Sequence, residues 1–133
     1  MNTPTRHFDP EPFLRMVDHD YATFAELAQT FLDLAKPQVK EIGAASDSRD
    51  SRLLKERAHA FRGSLAVFRA APALVIVEDI EKLARDHPGE GVGTLVDELD
   101  AEIQLLCAEM EAYVRAADVL ASAAAAAEMK PGD

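Results

Sequence analysis

The sequence predicts an all-α fold, an antiparallel up-and-down four-helix bundle with a short additional N-terminal helix, and three observations predict it. Ala, Leu and Val supply most of the 48% apolar content, with few aromatics and no Trp, which suits packed helices better than a sheet. Large apolar residues recur at spacings of three and four along four long stretches, the period of one helix face. Short breaks rich in Pro, Gly, Ser and Asp separate those stretches, as loops between antiparallel neighbours do. A length of 133 residues suffices for one such core.

Residues 1–7 read as a tail, residues 8–115 as the helical domain, and residues 116–133 as an Ala-rich helical extension or tail. The short first helix has Asp9 as N-cap and Pro10 as first helical residue, with Phe13, Leu14 and Val17 making it a lid on the core. Asp18 or Asp20 caps a long second helix through Tyr21, Phe24, Leu27, Phe31 and Leu34. It kinks at Pro37, continues through Val39 and Ile42, and ends near Gly43. The Ser- and Asp-rich segment Ala44 to Asp50 is a loop. A third helix then carries the stripe Leu54, Ala58, Phe61, Leu65 and Phe68, and Pro72 ends it and opens a fourth. The fourth presents Leu74, Val75, Val77, Ile80, Leu83 and Ala84 and stops at His87-Pro88-Gly89, with a turn over Glu90 to Gly93. The last helix runs through Leu95, Val96, Leu99, Ile103, Leu106, Met110, Tyr113 and Val114. Past Ala116 it has the propensity to continue but little large apolar surface to dock; Pro131 to Asp133 read as disordered.

Acidic residues outnumber basic ones by 24 to 14, a field that repels nucleic acid and anionic lipid surfaces, so neither is an expected partner. The single Cys107 excludes an internal disulfide and a multi-thiolate metal site, and its apolar setting reads as core. No apolar run spans a bilayer and no secretory signal is readable, so a cytoplasmic location is expected.

The segment with chemistry is Lys55-Glu56-Arg57-Ala58-His59-Ala60-Phe61-Arg62-Gly63-Ser64. At 100° per residue, His59 projects roughly 140° from the centre of the apolar stripe, so its ring faces solvent in mid-helix. Lys55, Arg62 and Gly63 stand four before, three after and four after it, on the same surface. A neutral imidazole is a competent nucleophile near pH 7, and cations beside it stabilise an incoming anionic group such as a phosphoryl. A glycine inside a helix costs about 0.5–1 kcal/mol relative to Ala, and here it clears a flank for close approach.

The string Ala58-His59-Ala60-Phe61-Arg62-Gly63-Ser64 resembles the motif of the histidine phosphotransfer (HPt) domain family: an Ala-His pair, a variable residue, an apolar residue, Lys or Arg, Gly and usually Ser. Asp9-Pro10 with Phe13-Leu14, Phe31-Leu32 and Ile80-Glu81-Lys82-Leu83 also resemble family positions, and the resemblance covers roughly Phe8 to Val114. It implies that His59 accepts a phosphoryl group from a receiver phospho-aspartate and passes it to another receiver in a multistep phosphorelay, with Arg62 and Gly63 in support. Lys55 joins them on spacing alone. The implied partners are the receiver domains of a hybrid sensor histidine kinase and of a response regulator, met by a monomer. It further implies no ATP-dependent kinase activity, no metal site and no cofactor of its own, the receiver supplying Mg²⁺. One departure is Arg69, where the family often has Gly, so the turn after the His helix differs or gains a docking cation.

Each feature also has a plainer reading. An exposed mid-helix His is usually a surface residue, and Lys55, Arg57 and Arg62 can be a solvated basic face paired with Glu56. Ser64 suits a bond to local backbone better than catalysis. His7, His19 and His87 fall in a tail, a helix junction and a turn, and Phe24, Phe31, Phe61 and Phe68 are core positions. The alternative function is a non-catalytic helical bundle that docks and regulates a receiver or kinase; a weaker one is self-assembly through the Ala-rich C-terminal helix.

Overall fold

The computed structural model describes residues 7–86 and 91–128, and its helix starts follow from side chains that take up backbone N–H groups the helices leave open. Ahead of α1 (Glu11–Met16), Asp9 Oδ1 accepts from the Glu11 N–H at 3.1 Å, and Pro10 sits at the cap, one place earlier than its expected helical position. Asp20, not Asp18, caps α2 (Tyr21–Asp47), accepting from the N–H groups of Ala22 and Thr23. Asp50 caps α3 (Ser51–Val67) through the Leu53 N–H at 3.0 Å. Pro72 lies in the first turn of α4 (Ala71–Asp86), and α5 runs Val92–Glu128. Residues 1–6 of the expected tail, the break at His87-Pro88-Gly89, Glu90 of the turn that follows and the segment Pro131 to Asp133 lie outside the described residues.

Three helix ends share one device. Asp18, Arg49 and Arg69 follow α1, α2 and α3 with left-handed backbone, φ 52°, 57° and 51°. In each case the next N–H reaches five residues back, His19 to Leu14, Asp50 to Ala45 and Ala70 to Leu65, at 2.8, 3.2 and 3.0 Å. These are Schellman closures whose usual left-handed occupant is glycine; a residue with a Cβ costs about 1 kcal/mol there. This turn ends α3 at Val67, ahead of Pro72, which was expected to end it. Arg69 takes the left-handed position itself, so the closure is made without a glycine. A further tie holds it: the Asp9 N–H donates to the Phe68 carbonyl at 3.0 Å.

α2 outruns its expected end at Gly43 and absorbs most of the expected loop Ala44 to Asp50. The physical reason is burial: Ile42 and Ala45 still face the core, 0% and 1% exposed, so the stripe continues one more turn. The helix also runs on through Pro37.

Three-residue connections join α2 to α3 and α3 to α4, so these neighbours run antiparallel. α2 packs chiefly on α5 and α3 on α4, while α2 with α3 and α4 with α5 close the ring of four. Among the described residues there is no strand. The core takes the expected α3 stripe and, on α5, Leu99, Ile103, Leu106, Met110 and Val114. On α2 the seam is Phe24, Ala25, Ala28, Phe31, Ala35, Val39 and Ile42; Leu27 and Leu34, expected in the stripe, are 45% and 52% exposed. Val75 of α4 is likewise exposed, and Ala73 takes the buried place. Small residues let helix backbones approach, so the alanines, not the flanking leucines, mark the line of contact.

α1 does act as a lid. Phe13 stacks on Phe68 at 5.2 Å and meets Phe24 edge-on at 5.6 Å. Cys107 is buried at 2% exposure, and burial pushes its thiol above the ordinary cysteine range, as befits a core residue. His7, expected in a tail, is fastened to α5: its Nδ1 lies 2.7 Å from Glu102 Oε2 and its backbone N–H donates to Glu109 Oε1 at 2.9 Å. Among the described side chains Ala117 is the last buried one of α5, and the helix continues about 16 Å beyond it with most of them in solvent. Among the described residues no helix is long and apolar enough to cross a membrane.

Candidate functional site

α3 is the cationic helix of an acidic chain: Arg52, Lys55, Arg57 and Arg62 against the single Glu56. Its inward stripe, Leu54, Ala58, Phe61 and Leu65, is buried to 4% exposure or less, and that fixes the rotation of the helix. His59 therefore stands outward, its side chain 64% exposed. Gly63, one turn on, faces open space: a Cβ built there meets nothing within 4 Å. His59, Gly63 and Val67 form one row along α3, spaced four residues apart.

The ring's inner nitrogen is engaged on the α4 side. Arg62 Nη2 lies 3.2 Å from His59 Nδ1, and Glu81 Oε2 lies 3.5 Å from the same atom. Glu81 is nearly covered, 15% exposed, because it follows the buried Ile80 where α4 packs on α3. Its Oε1 is buried without a hydrogen bond; Arg62 Nε comes to 3.5 Å, inside ion-pair range but outside hydrogen-bond geometry. The outer nitrogen, Nε2, has no hydrogen bond or ion pair from the described residues.

Of the four site residues expected from sequence, the structure thus joins Arg62 to His59 and sets Gly63 as an open flank. Lys55 is exposed one turn before His59, and no hydrogen bond or ion pair among the described residues involves it. Arg57 reaches Glu41 at 3.8 Å instead. Glu81 was not among the expected site residues, although it lies in the noted string Ile80-Glu81-Lys82-Leu83. A carboxylate directly beside a core position of an amphipathic helix is the available signal.

A family model described as Hpt domain matches residues 26–109, well over half of the chain, and spans His59, Arg62, Gly63 and Glu81. The chain belongs to the Hpt domain family. Hpt domains are phosphoryl carriers that interact with receiver domains in phosphorelays. The match runs from within α2 to within α5 of this Hpt domain, so α1 and the end of α5 lie outside it. Comparison with curated proteins and with solved structures gives no match.

Beside the site of this Hpt domain runs a shallow apolar groove between α2 and α3. Leu27, Leu34, Phe68, Val67 and Ser64 line it, and the half-exposed Val67 joins it to the row of His59 and Gly63. Ser64, for which no backbone bond is found, belongs to this groove.

Proposed function

We propose that this Hpt domain takes a phosphoryl group from the phospho-aspartate of one receiver domain onto His59 Nε2 and yields it to a second receiver. One observation carries the reading: within the family match, an exposed imidazole turns Nδ1 inward to Glu81 and Arg62 and leaves Nε2 outward.

The chemistry is an in-line displacement. The Nε2 lone pair forms the P–N bond while the P–O bond of the acyl phosphate breaks, and the aspartate leaves as carboxylate. The ring gains positive charge as that bond forms, and Glu81 beside Nδ1 stabilises it in a site partly screened from water. Arg62 meets the phosphoryl oxygens with charge-assisted hydrogen bonds, Lys55 adds a cation within one turn, and Gly63 leaves room for the partner's backbone. The receiver supplies Mg²⁺; this chain brings no cofactor and no kinase activity of its own.

Docking follows from the surface. A standard interface takes about 800 Å² from each partner, enough to cover both His59 and the groove that begins at Ser64, about 8 Å further along α3. Exposed Leu27, Leu34 and Val67 supply apolar contact, and the cationic helix attracts an acidic receiver pocket. The test is incubation with a phosphorylated receiver. An acid-labile, base-stable label is expected on the parent protein and none on His59→Gln; equal labelling of both overturns the reading.

A further inference from the structure

Two groups compete for Nδ1 of His59 and make opposite demands on it. Arginine only donates, so Arg62 Nη2 at 3.2 Å bonds Nδ1 only while that nitrogen holds a lone pair. A carboxylate only accepts, so Glu81 Oε2 at 3.5 Å is answered only while Nδ1 carries the proton. A neutral imidazole has one N–H and cannot satisfy both. The choice also sets the outer nitrogen: with Arg62 bonded the proton sits on Nε2, which then has no lone pair to attack with. With Glu81 bonded, Nε2 is free.

The geometry favours Arg62 in the isolated protein, because it stands at hydrogen-bond distance, 3.2 Å, while the Glu81 oxygen stands back at 3.5 Å. It also supplies the guanidinium with somewhere else to go. Glu81 Oε1 is buried and unbonded, and Arg62 Nε stands 3.5 Å from it. Arg62 is 41% exposed, so its head can equally swing outward to an anion.

We propose that Arg62 is a positioning residue that gates the tautomer of His59: in the free protein it holds the proton on Nε2, and an arriving phosphoryl anion draws it away and arms the nucleophile. Nε2 then gives its proton to water and Nδ1 takes one from water, so the ring stays neutral. Nδ1–H donates to Glu81 Oε2, and the Nε2 lone pair faces the anion. The purpose of this gate rests on the phosphocarrier reading above. Its physical content does not, and the two fail separately.

The test is long-range ¹H–¹⁵N correlation spectroscopy on uniformly labelled protein at mildly alkaline pH, where the ¹⁵N shifts of the two ring nitrogens report which one bears hydrogen. The parent protein is expected mainly as the Nε2–H form. Arg62→Met keeps the aliphatic stem and removes the donors, and raises the ratio of Nδ1–H to Nε2–H about tenfold, the scale of one charge-assisted hydrogen bond. Inorganic phosphate shifts the parent in the same direction and leaves Arg62→Met unchanged. Glu81→Met stays in the Nε2–H form with or without phosphate; the His7 signals check that each variant is folded. Equal tautomer ratios in parent and Arg62→Met, or a phosphate response in Glu81→Met equal to the parent's, overturn the gate. A tautomer exchange that follows this pattern in a protein that takes no label from any receiver sustains the gate and sinks the phosphocarrier reading.

Discussion

His7 and His59 each meet a carboxylate on a packed helix, and the two pairs differ in closeness, cover and hydrogen bonding. At His7 the contact is short, 2.7 Å to Glu102, both side chains are mostly covered, and Glu109 takes the backbone N–H of the same residue. At His59 the carboxylate stands back at 3.5 Å, a cation disputes the same nitrogen, one carboxylate oxygen is left unbonded, and the ring is 64% exposed. The short His7–Glu102 contact, with a second tie to Glu109, fastens chain to chain. The His59–Glu81 pair, beside an open flank, leaves hydrogen-bonding capacity unused.

The sharpest way to break that contrast is to exchange the two histidines' fates. His59→Gln is expected to abolish labelling by a phosphorylated receiver while moving stability by no more than about 0.5 kcal/mol, as for an exposed site. His7→Gln is expected to label like the parent. Labelling lost at His7 and kept at His59 would reverse the assignment. Next in size is Glu81→Met. Removing a buried carboxylate with an unbonded oxygen is expected to raise stability by about 1 kcal/mol in urea melts, while phosphotransfer slows by about tenfold or more for want of charge stabilisation. A variant that gains stability and keeps its rate would make Glu81 a bystander.

Smaller again is His7→Ala, expected to cost about 1 kcal/mol of stability through the lost tie to Glu102 and to leave phosphotransfer rates unchanged. The least effect is expected at Arg69→Gly, which relieves the left-handed backbone at the end of α3 and gains up to about 1 kcal/mol, read as a rise in Tm. Since Arg69 is exposed, its replacement by Lys isolates the cation from the backbone: that variant should match the parent in stability.

The bundle was legible because the stripe Leu54, Ala58, Phe61, Leu65 and Phe68 records one helix face, and from that face the outward direction of His59 follows by rotation alone. The face of α2 is less legible. Its buried seam includes Ala25, Ala28 and Ala35, residues too small to stand out in a hydrophobic pattern, so the pattern points the larger Leu27 and Leu34 inward, whereas they lie in the groove. The left-handed turns leave no mark in the sequence because Asp18, Arg49 and Arg69 carry none of the glycine signal that usually announces them. Glu81 was hidden for a different reason. Which α4 residue abuts His59 depends on how two helices register against each other, and a single sequence records the period of each helix but not that offset.

α5 has one further consequence through its last turns. Beyond Ala117 no described side chain is buried, and a helical segment this short with little packing is marginal in water even when rich in alanine. A single unbroken rod therefore spans two regimes of protection. Its amide protons near Leu99 and Ile103 should exchange with solvent deuterium only through global opening, whereas those past Val119 should exchange by fraying, and a nonspecific protease should shorten the rod from this end before it touches the body of the protein.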